Sequence, residues 1–146
     1  MSNSLKRTLR YALGILVAFM ALNAFAGGYY ALSGAKGVPM GWLNGSPFQD
    51  YFIPGLVLMI VVGGAFLIAA IAVLADLRIA RRATFISVIM VIVWLLVQVS
   101  IIGYVSWMQP TTAAISLLIF FMAYICLEVK QDDRSTGKSP NNESPT

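Results

Sequence analysis

Apolar residues fall in four long runs along this chain, and polar residues are confined to the gaps between them and to the two ends. The runs cover about 11–32, 53–75, 84–107 and 111–127. None alternates with the period of two that a half-buried strand requires, and each is far longer than an ordinary strand. At a rise of 1.5 Å per residue, the first run of 22 residues covers about 33 Å, enough for a hydrocarbon core of about 30 Å. The fourth, at 17 residues, sits near the lower limit for a crossing. The pattern predicts an all-α membrane protein, a four-transmembrane-helix bundle formed by residues 1–127 as a single domain. Residues 128–146 are polar, rich in Ser, Asn and Pro, and predict a disordered cytoplasmic tail.

The connections refine this. Ser33 to Phe52 is the longest, broken by Gly34, Gly37, Pro39, Gly41, Gly45 and Pro47. Within it Ser46-Pro47-Phe48-Gln49 fits a helix start, with Ser46 as N-cap and Pro47 at the first helical position. This predicts a short extracytoplasmic interfacial helix that bends, or starts afresh, at Pro54. Gly55, Gly63, Gly64, Ala65, Ala69 and Ala70 give the second span a small-residue surface for close helix approach. Asp76–Ala83 predicts a tight helical hairpin, and Met108-Gln109-Pro110 a very short turn into the fourth span.

Charge sets the orientation. Lys6, Arg7, Arg10, Arg78, Arg81, Arg82, Lys130, Arg134 and Lys138 fall on one side of a four-span arrangement, and Lys36 falls on the other. The positive-inside rule then places both termini in the cytoplasm. The net charge of +4 is explained by this arrangement without invoking nucleic acid. Arg78, Arg81 and Arg82 alone are fewer bases than the clusters that recognise anionic lipids, so orientation accounts for them. The first run also has a second reading. Basic residues, an apolar stretch and Ala24-Phe25-Ala26 before Gly27 match a cleavable signal peptide. Tyr29 to Leu32 carry the apolar run past that point and Asn23 interrupts the run before it, which favours a retained span.

Only 11% of the residues are charged, and the chain has a single cysteine, Cys126, and no histidine. These counts leave no internal disulfide, no CxxC relay, no His-ligated haem or zinc and no imidazole acid or base. No cofactor and no metal is expected. The polar residues within the spans therefore carry the functional signal. Asn23 lies 13 residues past Arg10, about 20 Å up the first helix, and Gln98 lies 16 past Arg82, about 24 Å up the third. Their similar depth predicts either an interhelical hydrogen bond that serves as packing glue or a polar pocket opening outward. Ser87, Trp94 and Gln98 share a helix face that is expected to point into the bundle. Asp50 either complements the positive end of the second helix, the reading the position favours, or pairs with Lys36, binds a cation or grips a partner. Tyr104, Trp107 and Gln109 mark the outer end of the third span and, with Trp42, Phe48 and Tyr51, are placed to roof a shallow pocket.

Two stretches, SPFQDYFIPGLVLMIVVGG at Ser46–Gly64 and IIGYVSWMQP at Ile101–Pro110, together with the four-span layout, resemble a group of small, uncharacterised bacterial inner-membrane proteins. There a segment like SPFxDYxIPG precedes the second span and one like GYxSWxQP closes the third. The architecture is also distantly similar to that of the DoxX-like four-helix proteins. The resemblance implies no activity; it points to the outward ends of spans two and three, at Phe48, Asp50, Tyr51, Pro54, Tyr104, Trp107, Gln109 and Pro110. No nucleophile has a base partner in the pattern, so the expectation is a non-enzyme. Its partners are expected to be the lipid bilayer and another membrane protein or a second copy of the chain. An accessory or assembly role through lateral helix contacts is one expectation, and a carrier or binder of an apolar, lipid-like ligand is the other.

Overall fold

The computed structural model describes the backbone of residues 2–104 and 106–136, and side chains as far as Leu127. Among these residues there is no strand, and four helices are long and apolar enough to cross a membrane. They are α1 (Asn3–Leu32), α2 (Phe52–Leu74), α3 (Ala80–Ile102) and α4 (Met108–Thr136). The chain is thus an all-α, multi-pass four-helix bundle. Consecutive helices pack side by side, and α4 closes the bundle against α1.

The helix ends follow local chemistry. The Ser2 side chain accepts the Leu5 amide at 3.3 Å, so α1 starts well before its apolar run, with Lys6, Arg7 and Arg10 on its first turns. At the far end of α2, Asp76 adopts φ 59°, its amide bonds to the Val73 carbonyl at 3.3 Å, and the Leu77 amide reaches the Ala72 carbonyl at 2.8 Å. That is a Schellman motif with aspartate in the place usually held by glycine. Gly103, at φ 77°, ends α3 at Ile102, five residues before the expected Trp107. Residues 103–107 therefore form a longer connection than the predicted short turn. Helix α4 continues to Thr136, so 128–136 is helical where a disordered tail was expected; Glu, Lys, Gln and Arg there are good helix formers. Positions 137–146 of the expected tail lie outside the described residues.

The outer connection differs too. Its helical turn is a 3₁₀ segment at Met40–Leu43, whereas Ser46 folds an isolated turn, its hydroxyl accepting the Phe48 amide at 3.2 Å. Helix α2 then begins at Phe52, and Pro54 sits in its first turn, where the missing amide hydrogen is not needed, so no kink arises there. The irregularity lies further on, as a π-helical segment at Leu58–Gly63.

Lipid tails are as apolar as leucine, so nothing hydrophobic drives these helices together; close contact must. The seam between α1 and α2 supplies it. A Cβ on Gly28 would stand 2.5 Å from the Met59 Cβ, and one on Gly55 would stand 2.5 Å from the Ala31 Cβ. Gly63 receives the Phe25 ring, and Gly14 receives Leu74. Gly55, Gly63, Ala69 and Ala70 of the small-residue face of α2 are thus buried within the bundle, whereas Gly64 meets open space. A central core of Leu13, Val17, Phe66, Val73, Val88 and Ile119 completes the packing. Buried positions on α3 run from Ala80 to Val91, and among the described residues none lies between 92 and 102. Gly28→Ala is expected to destabilise the bundle by about 1–3 kcal/mol through overpacking. Gly64→Ala, where an added Cβ meets nothing within 4 Å, should be neutral or slightly stabilising. Thermal unfolding in detergent separates the two; equal midpoints would contradict the seam.

Candidate functional site

The outward connection builds a small cap with its own core. Ala35, Leu43 and Tyr51 are buried there, packed by Val38, Phe48 and the tips of α1 and α3 at Ala31, Ile101 and Ile102. The Tyr51 hydroxyl donates to the Pro39 carbonyl at 2.8 Å, closing the loop, and burial raises its pKa, which keeps it a neutral donor. The Tyr30 hydroxyl donates to the Lys36 carbonyl. The Asp50 carboxylate accepts the Phe52 amide at 3.1 Å, at the start of α2, which is the end-complementing role the position favoured. Across the cap, buried Gln109 donates its amide to the Gly103 carbonyl at 3.2 Å, tying the α3–α4 connection. Ser106 steadies the same turn: its hydroxyl accepts the Met108 amide at 3.3 Å and its carbonyl the Gln109 amide at 3.2 Å.

The stretches at Ser46–Gly64 and Ile101–Pro110 thus read as folding instructions. Ser46, Asp50 and Tyr51 shape the loop, Gly55 permits the α1 crossing, and Gly103, Ser106 and Gln109 shape the second connection. Tyr104 and Trp107 stand 70% and 73% exposed, while Phe48 and Tyr51 pack into the loop core. The structure does not bring these four together as a roof. Tyr104, Trp107 and half-exposed Trp42 instead form amphipathic projections suited to the headgroup layer.

The inward stripe of α3 runs as expected. Thr84 and Ser87 are buried, Trp94 and Gln98 half-buried on the same face. The buried hydroxyls are satisfied locally: Thr84 donates to the Ala80 carbonyl at 2.8 Å, Ser87 to Ala83 at 2.8 Å and Ser116 to Thr112 at 2.7 Å. Asn23 is not on the inward stripe of α1, which is Leu13, Val17, Met20, Ala24 and Gly28. It is exposed, and among the described residues no hydrogen bond joins it to Gln98 or to any other group. The predicted amide pair is absent because Asn23 faces outward while Gln98 faces inward.

The opposite end of the bundle holds an ion pair that the sequence did not reveal. Arg10 Nη1 lies 2.9 Å from Asp76 Oδ2, both partly exposed. The guanidinium Nε beside that bond is enclosed without a partner. Arg7 and Arg10 stand over the Tyr11 ring at 5.8 and 5.4 Å, and Arg81 over the Phe85 ring at 5.7 Å. Cys126 on α4 makes a weak 4.0 Å contact with the Lys6 carbonyl, joining a third helix to this end. The only available hint was Asp76 itself, an acid at the end of an apolar helix beside three arginines. Its partner is 66 positions away, beyond the reach of local patterning.

Among the described residues no three His, Cys, Asp or Glu side chains gather into a metal-binding group. No family model, no curated protein and no solved structure matches this chain. The Arg10–Asp76 contact makes a graded prediction. Asp76→Asn keeps a side chain tolerant of positive φ and removes the charge, so it should cost no more than about 1 kcal/mol for a partly exposed pair. Asp76→Ala also forces alanine into the left-handed region and should cost about 1–2 kcal/mol more. Unfolding midpoints in detergent check the order; alanine no worse than asparagine would contradict it.

Proposed function

We propose that this chain is a non-enzymatic accessory or assembly protein of the bacterial inner membrane, acting through lateral contact between α1 and a helix of a partner membrane protein. Both termini lie in the cytoplasm in this reading, following the bias of the bases towards one end. The observation that carries the proposal is Asn23, an exposed amide at hydrocarbon depth with no hydrogen bond among the described residues. An amide left facing lipid tails costs on the order of 2 kcal/mol or more, and a partner helix removes that cost. Exposed Phe19 and Leu22 beside it supply apolar contact for the same partner. Hydrogen bonds of this kind contribute about 0.6–2 kcal/mol between membrane helices, enough to set register on an otherwise greasy surface. Gly55 and Gly63 of the small-residue face of α2 are taken up by the chain's own α1, which leaves Gly64 as the open glycine of that face.

A second reading, a binder or carrier of an apolar, lipid-like ligand through an outward-facing opening, keeps one supporting observation. Trp94 and Gln98 remain only half-buried on a stripe whose inner half is closed. It has lost the Asn23–Gln98 pair that would have formed its polar end. The two readings separate in one experiment, purification in mild detergent followed by native mass measurement. The first expects the wild-type chain to travel with a second membrane chain, and Asn23→Leu to release it at unchanged unfolding midpoint. A wild-type chain running bare at 15.8 kDa, or a partner retained by Asn23→Leu, contradicts the proposal.

A further inference from the structure

We propose that the basic end of the bundle is a binding site for anionic phospholipid headgroups, formed jointly by the first turns of α1, the α2–α3 turn and the start of α3 through Arg7, Arg78 and Arg82, with Arg10 positioning them. The α2–α3 turn and the first turn of α3 together hold three arginines, short of the four to eight bases that usually mark such sites. The fold corrects that count. The 2.9 Å contact between Arg10 and Asp76 sets the start of α1 against that turn and adds Lys6, Arg7 and Arg10 to the same end. Two groups of bases nearly seventy positions apart in sequence become one surface.

Which of these bases are available decides the site. Arg7, Arg78 and Arg82 are exposed, and among the described residues none of them forms an ion pair. Arg10 is committed on one prong to Asp76 and serves to position the α1 turn. Arg7 and Arg10 are braced over one phenol ring, that of Tyr11, itself 41% exposed. Both guanidinium groups also lie within hydrogen-bonding reach of the Tyr11 hydroxyl, which uses part of each donor set; a guanidinium carries five N–H donors, so exposed Arg7 keeps others for phosphate oxygens. All four residues lie where a spanning helix leaves the hydrocarbon, the depth of lipid phosphates, with Tyr11 as the interface anchor. Setting the orientation of a span requires only positive charge, and lysine would serve. Arginines held near an aromatic ring on α1 and set beside those of a second segment add the geometry that grips a phosphodiester. The inference does not depend on the lateral-contact reading, since Asn23 is about 20 Å away along α1.

The test uses the full chain in non-ionic detergent, titrated with phosphatidylglycerol or with phosphatidylcholine, and read by native mass spectrometry and unfolding midpoint. Phosphatidylglycerol is expected to stay bound and raise the midpoint, with the effect shrinking at high salt, and phosphatidylcholine to do neither. Each of Arg7→Gln, Arg78→Gln and Arg82→Gln should weaken phosphatidylglycerol binding by roughly five-fold. Lys36→Gln, at the other end, should leave it unchanged. The variants' midpoints without lipid should match wild type, which keeps a folding defect apart from a binding defect. Equal retention of both lipids, full phosphatidylglycerol binding by the triple variant, or the same stabilisation from inorganic phosphate at equal concentration would each overturn the site.

Discussion

The near-contact of α1 and α2 at Gly28 and Gly55 is the constraint from which the rest of the bundle follows. Water drives soluble helices together, whereas in a bilayer the gain comes from dispersion between closely approaching surfaces. Gly28 and Gly55 bring the two backbones near enough that each Cβ position is already filled by a neighbour's atoms. The crossing falls beside the π-helical segment of α2, whose extra width carries Leu58 and Met59 onto Gly27 and Gly28. With that pair docked, the ends of both helices are placed. One end brings Arg10 to Asp76, and the other supports the cap built on Ala35, Leu43 and Tyr51.

Seen from the seam outward, the polar groups divide into two kinds. Most are satisfied within the chain. The buried hydroxyls bond to their own helices, Asp50 and Ser46 to nearby amides, and Tyr51 and Gln109 to loop carbonyls. They explain why the outward connections hold their shape. Others make no hydrogen bond or ion pair among the described residues, among them the amides of Asn23 and Gln98 and the guanidinium groups of Arg78 and Arg82, while Arg7 meets only Tyr11. Groups that the chain does not satisfy itself are those through which it can engage its surroundings, and both functional inferences rest on them.

The four helices were legible because a run of twenty apolar residues has few other physical solutions. Their boundaries were less so. The apolar run predicts a third span reaching Trp107, but Gly103 at positive φ ends the helix first. Ser46-Pro47 carries a sound N-cap pattern, yet a two-residue turn satisfies Ser46 at lower cost and α2 waits until Phe52. For the candidate site, depth along a helix could be counted for Asn23 and Gln98, but the angle about the axis could not. Side-chain facing depends on which flank α2 occupies, and Gly28 and Gly55 set that. The Arg10–Asp76 pair was hidden for the same reason: it is a product of the docking and not of either local segment.

Magic-angle-spinning NMR of the full chain in lipid bilayers tests the central claim most directly, through carbon–carbon contacts between Gly28 and Met59 and between Ala31 and Gly55. The structure puts the Met59 Cβ 2.5 Å from where a Gly28 Cβ would be, and the Ala31 Cβ equally close to that of Gly55. Strong cross-peaks for both pairs are therefore expected in the bilayer. Their absence, in spectra that show the contacts within each helix, would mean that α1 and α2 do not cross here and would undo the arrangement built on that crossing.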